Sequence, residues 1–142
     1  MNSLIVQTIN HCVDGAKTGT LQFPQIVQEL AGVGVERYHT DYSRCENTYY
    51  WADGTSHVVA LPPEASTIGQ KFDQPSIAAA IGQSQRGEHL YADFLQKTRS
   101  AGCVGYCVFI TGRQVQYWGR HGECHVERFP HQAVDATGMD KP

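Results

Sequence analysis

Apolar positions repeat along this chain in two alternating rhythms. Leu4, Ile5, Ile9, Cys12, Val13 and Ala16 recur at helical spacing, so residues 3–17 predict an amphipathic helix with Ser3 as its N-cap. Phe23, Ile26, Val27 and Leu30 repeat the stripe over 24–31, with Pro24 suited to a first turn. The rhythm then changes to a period of two. Strands are expected at 35–42, 48–52 and 55–61, with Asp53-Gly54 as a two-residue type I′ turn between the second and third. Pro62 and Pro63 open a linker that runs to residue 74.

The same order then returns. A helix capped by Ser76 buries Ile77, Ala80 and Ile81, and Gly87 ends it. A second helix over 88–101 buries Tyr91, Phe94, Leu95 and Thr98, with Gly102 just past its end. Strands follow at 103–110, 115–118 and 123–129, and the tail after Pro130 is expected to fray.

Sliding the chain against itself by 68 positions tests whether the return is a repeat. Identities fall at Ile9/Ile77, Gly19/Gly87, Gln28/Gln96, Gly34/Gly102, Tyr38/Tyr106, Tyr49/Tyr117, Gly54/Gly122, His57/His125, Val58/Val126, Pro62/Pro130 and Ala65/Ala133. Chance composition would give roughly three or four. The reading is an α+β single domain, 1–142, built as two tandem helix-helix-three-strand repeats, 3–61 and 75–129. An antiparallel sheet should turn one face to four helices, with residues 9–61 and 77–129 related by a pseudo-two-fold axis. Tyr38 and Tyr106 should be buried at equivalent positions, each hydroxyl with a partner.

Composition narrows the function classes. An apolar content of 41% and a charged content of 18% over 142 residues suit one globular domain. A net charge of -3 argues against a nucleic-acid partner, which would want a basic face. No apolar run is long enough to span a bilayer, and the N-terminus lacks the charged and apolar regions of a signal peptide, so a cytoplasmic protein is expected without a membrane partner. Five irregularly spaced cysteines without a Cys-x-x-Cys fit reduced thiols.

The candidate chemistry sits on the first strand. Arg37, His39 and Asp41 alternate along one face, where the equivalent positions of the second half are Gly105, Cys107 and Phe109. A guanidinium, an imidazole and a carboxylate in a row could bind an anion or run acid–base chemistry. A solvated sheet face would present the same residues. Tyr49, Tyr50 and Trp51 are consecutive, so one aromatic should turn away from the core, and Tyr49 or Trp51 could wall a site beside Arg37. Cys103 and Cys107 are expected on one strand face near His121, Cys124 and His125, but the spacing matches no zinc module, and no metal is expected. Cys45, beside Arg44 in a turn, has no histidine that sequence alone places against it as a nucleophile's base. No phosphate-binding glycine motif occurs, so no cofactor is expected.

The pattern of Gly34, Val35, Arg37, Tyr38 and Asp41, followed by Tyr49, Tyr50, Asp53 and Gly54, resembles domain-of-unknown-function family 1398, small bacterial and prophage-encoded proteins sometimes called phage envelope proteins. Tyr91, Phe94, Ala101 and Gly102 extend the resemblance, with Cys103 where the family pattern has valine and Gly105 where an arginine would be expected. The resemblance supports the fold and supplies no catalytic residues. The expectation is a non-catalytic binding or regulatory module of prophage or mobile-element type, with a protein or small-molecule partner. The alternative is a small enzyme using Arg37, His39 and Asp41. A pocket of converging polar groups over that face would favour the enzyme, and an open sheet face the protein partner.

Overall fold

The computed structural model describes residues 1–130, so the expected frayed tail lies outside the described residues. Helix α1 (Ser3–Thr18) buries Ile9 and Cys12 on the expected stripe. Its N-cap is Asn2, one residue earlier than the Ser3 expectation, because the Asn2 side chain accepts from Leu4 N at 2.7 Å. Helix α2 (Phe23–Gly32) takes Pro24 in its first turn, and the Gln25 side chain accepts from Gln22 N at 2.7 Å. Three strands follow: β1 (Val35–Asp41), β2 (Glu46–Trp51) and β3 (Ser56–Ala60).

Helix α3 (Gln74–Gln85) starts earlier than Ser76 would place it. Asp73 is the cap, its carboxylate accepting from Ser76 N at 3.1 Å and Ser76 Oγ at 2.7 Å. Those bonds hold the Asp73 carboxyl below its ordinary range. Helix α4 (Tyr91–Ser100) starts later than residue 88, since Asp93 accepts from Leu90 N at 3.0 Å and Glu88 is drawn to Arg86 instead. Strands β4 (Cys103–Phe109), β5 (Gln114–Gly119) and β6 (Cys124–Arg128) complete the described elements.

The protein is thus α+β, and its strands form one six-stranded antiparallel sheet in the order β3-β2-β1-β4-β5-β6. β1 and β4 pair at the centre, with Tyr38 opposite Val108, His39 opposite Cys107 and Thr40 opposite Tyr106. Both central strands carry an irregularity near their start, at Glu36 and at Val104. Each inserts a residue, so Val35 and Cys103 turn into the core ahead of Tyr38 and Tyr106. Plain alternation, which put Cys103 on one face with Cys107, fails for that reason. The Asp53-Gly54 turn also differs from the type I′ expectation. Only Gly54 has positive φ (+92°); Gly54 N donates to Trp51 O, Trp51 N donates to Thr55 O, and Asp53 accepts from Thr55. One left-handed residue after an ordinary turn makes the hairpin, and glycine supplies it.

The core lies on one side of the sheet. Ile9, Cys12, Ile26, Leu30, Ile77, Ala80, Ile81 and Phe94 from the four helices meet Tyr38, Tyr49, Tyr106, Val108, Val115 and Tyr117 from the strands. Tyr38 and Tyr106 are 5% and 6% exposed. Their hydroxyls differ. Tyr106 shares a 2.7 Å hydrogen bond with Tyr91, whereas Tyr38 has no side-chain hydrogen bond among the described residues, contrary to the expectation that each hydroxyl finds a partner. The segment 61–73 is pinned to the second half: Arg99 donates to Ser66 O, Arg120 to Ile68 O and Gly69 O, and Asp73 N to Ala101 O.

Candidate functional site

The face of the sheet opposite the helices carries the sequence-predicted row. By register, its middle line reads Val58, Thr48, His39, Cys107, Gln116 and Val126 from β3 to β6. Arg37 lies one line to one side, between Tyr50 and Phe109, and Asp41 one line to the other, between Glu46 and Gly105. The two valines at the flanks are 51% and 41% exposed, which a face covered by another layer would not allow.

Each member of the row has local work. Arg37 pairs with the adjacent Glu36 carboxylate and lies 4.3 Å over the Tyr50 ring. His39 sits 5.4 Å from the Trp118 ring, centroid to centroid. Asp41 accepts from Ser43 N at 3.0 Å and Arg44 N at 3.1 Å, so it organises the β1–β2 turn. Arg37 and His39 therefore share the open face with Tyr50 and Trp118, while Asp41 is turned to a backbone role.

Two of the aromatic candidates lie elsewhere. Tyr49 is 2% exposed in the core and accepts from Asn47 Nδ2 at 3.0 Å. Trp51 is paired with Val35 before the irregularity, packs against the core and donates Nε1–H to Val33 O at 2.9 Å. The aromatic beside Arg37 is Tyr50. Sequence reasoning offered Tyr49 and Trp51 and passed over Tyr50, because the inserted residue at Glu36 shifts the phase of β1 against β2.

The pair His39–Cys107 is the arrangement on this face that most nearly approaches nucleophilic chemistry. Its thiol is unsuited to it. Burial pushes Cys107 up to about 11, against a smaller opposite pull from Arg37. A thiol so held is protonated at neutral pH, and a thiolate nucleophile needs the reverse. Cys12 and Cys103 are likewise pushed up to about 11 by burial. The cysteine and histidine set of the second half does not gather. Cys103 faces the core, and Cys107 the open face. His121 lies 3.6 Å from Glu123, and His125 shares bonds with Gln74 at 2.8 Å and Glu127 at 3.2 Å. Among the described residues no group of three potential metal ligands comes together.

A second feature escaped the sequence entirely. A cleft of about 270 Å³ opens between α1, α4 and the segment after β3, lined by Lys17, Arg99 and Tyr91 among apolar neighbours. Neither it nor the shallower cleft between α3 and α4 is lined by Arg37 or His39. Its walls come from residues far apart in sequence, joined only by the fold.

These features define a class: an α+β protein whose helices all pack on one face of an antiparallel sheet. Within it, the chain belongs to DUF1398, a family described as a protein of unknown function, whose model matches residues 10–127. No curated protein matches the chain. Among the described residues, no helix is long and apolar enough to cross a membrane.

Proposed function

We propose that this protein is a non-catalytic binding or regulatory module that docks a protein partner on its open sheet face, around Arg37, His39, Tyr50 and Trp118. The observation that carries the reading is the sheet face opposite the helices, with exposed Val58 and Val126 at its flanks and arginine and aromatic side chains around a buried Cys107 at its centre. Arginine, tyrosine and tryptophan are the side chains that dominate protein interfaces. The alternative, a small enzyme using Arg37, His39 and Asp41, would need a concavity of converging polar groups over that face, and neither of the two clefts described above is lined by Arg37 or His39. The prophage or mobile-element setting rests on the family resemblance alone.

The face is asymmetric within what we read as an internal duplication. Supporting that reading, the residues with positive φ form pairs 68 apart: Gly19/Gly87, Gly34/Gly102, Cys45/Arg113 and Gly54/Gly122. The strand irregularities at Glu36 and Val104 keep the same offset. His39 and Cys107, also 68 apart, face each other where the pseudo-two-fold axis would pass. A failure of 9–61 and 77–129 to superpose would remove the duplication. The docking reading is tested by affinity capture from the native cytosol with wild type and with the double variant Arg37→Gln/Asp41→Asn. Loss of a retained protein in the variant supports the face, and identical captures remove it.

A further inference from the structure

The cleft between α1, α4 and the segment after β3 holds a buried cation that no carboxylate pairs among the described residues. Arg99 is only 7% exposed, yet among the described residues no carboxylate lies within ion-pair distance of its guanidinium. Its acceptors are all neutral: Nη1 donates to Tyr42 O at 2.8 Å, Nη2 to Ser66 O at 2.6 Å, and Nε to Ser66 O and Oγ at 3.1 Å. One N–H on each terminal nitrogen is left without an acceptor among the described residues. A buried guanidinium without a counter-charge is costly, on the order of several kcal/mol.

Lys17, in the last turn of α1, lines the same cleft and likewise has no described ion pair. Two carboxylates, Asp41 and Glu64, also belong to the lining. Both are engaged by main-chain N–H groups, Asp41 by Ser43 and Arg44 and Glu64 by Ser66 at 3.3 Å, and neither reaches either cation. The remaining wall, with Val13, Leu61 and Leu95, is apolar. A volume of about 270 Å³ lies just below the usual range for small-molecule sites, whose lower end is about 300 Å³.

We propose that this cleft is a binding site for a small organic anion, a carboxylate on a compact apolar body, with Arg99 and Lys17 taking the charge and the apolar wall taking the body. The site shares Asp41 alone with the row on the open sheet face, and because its own test leaves Asp41 unaltered it stands or falls independently of the docking reading. Arginine suits the role because its planar fork meets a carboxylate with two parallel donors.

The test is an NMR titration of the isotope-labelled full chain with phenylacetate, paired with phenylacetamide, which has the same body without the charge. Phenylacetate is expected to saturate with a Kd of about 1 mM or tighter. Its shifts should map to residues 40–45, 61–66 and 91–99, and the amide should bind at least about tenfold more weakly. Because Arg99 also ties Ser66 and Tyr42 together, its removal could unfold the chain, so the variants used are Lys17→Gln and Ala92→Phe. Lys17 is exposed, and its change should weaken phenylacetate about threefold or more while leaving the amide unaffected. Ala92 lines the cleft from the surface of α4, and the phenylalanine should block both probes. Equal affinity for acid and amide, shifts mapped elsewhere, or no saturable binding of phenylacetate would each overturn the proposal.

Discussion

The two central strands, β1 and β4, lie side by side and solve the same packing problem with different outer rows. Each starts with a buried residue, Val35 or Cys103, passes an inserted one, and then sets a tyrosine into the core. On the core side both tyrosines are nearly inaccessible. On the open side β1 carries Arg37, His39 and Asp41, whereas β4 carries Gly105, Cys107 and Phe109. Burial constrains the core face throughout, whereas on the open side it holds Gly105 and Cys107 of β4 but leaves Arg37, His39 and Asp41 of β1 only half-buried. The charged row thus sits on the part of the sheet that packing constrains least.

The comparison breaks most visibly in the core. Tyr106→Ala should cost about 3–5 kcal/mol in chemical denaturation, as deletion of a packed aromatic does. A loss below about 1 kcal/mol would place its ring at the surface. Next in size is Gly105→Ala. A Cβ there would meet Thr40 O at 2.5 Å, a backbone atom of the neighbouring strand, so roughly 1–3 kcal/mol should be lost. The corresponding change on β1, Arg37→Gln, should alter stability by less than about 1 kcal/mol, since it removes only a partly exposed ion pair and a contact with the Tyr50 ring. Equal losses at the two positions would mean that the outer row of β1 is structural.

The hydroxyls sharpen the contrast further. Tyr106→Phe leaves the buried Tyr91 hydroxyl without its partner and should cost about 1–2 kcal/mol. Tyr38→Phe removes a hydroxyl that has no described partner and should be neutral or slightly stabilising. A further small effect is expected at His89. Partial burial, with Lys97 nearby, lowers the His89 pKa below its ordinary 6.5. A depressed histidine contributes stability that is present above its unfolded pKa and lost as pH falls toward the folded value. Stability should therefore decline modestly below about pH 6.5, and His89→Leu should flatten that decline.

Much of the fold was legible in the chain because it rests on periodicity. Helix stripes such as Ile9 with Cys12 and alternation such as Tyr38 with Thr40 follow directly from burial of one face. What escaped depends on single hydrogen bonds or one inserted residue. Asp73 displaced Ser76 as a cap because its carboxylate reaches two donors at once. The insertion at Glu36 exchanged Trp51 for Tyr50 beside Arg37, and no local propensity announces such an insertion. That Arg37 and His39 share the outer face of β1 followed from alternation alone. Arg99 was not, since a lone arginine at the end of a helical stripe reads as surface until the segment after β3 is folded over it.

The central claim is that the open face of β1 binds a protein partner. The most direct measurement is affinity capture with folded wild type, with the Arg37→Gln/Asp41→Asn variant, and with Gln96→Ala on the opposite, helical side as a control. All three should show denaturation midpoints close to one another, because the altered side chains make only partly exposed contacts with Glu36, Tyr50 and neighbouring backbone. Wild type and Gln96→Ala should retain the same protein, and the double variant should lose it. Capture that is identical for all three, or no retained protein with wild type, would contradict the account.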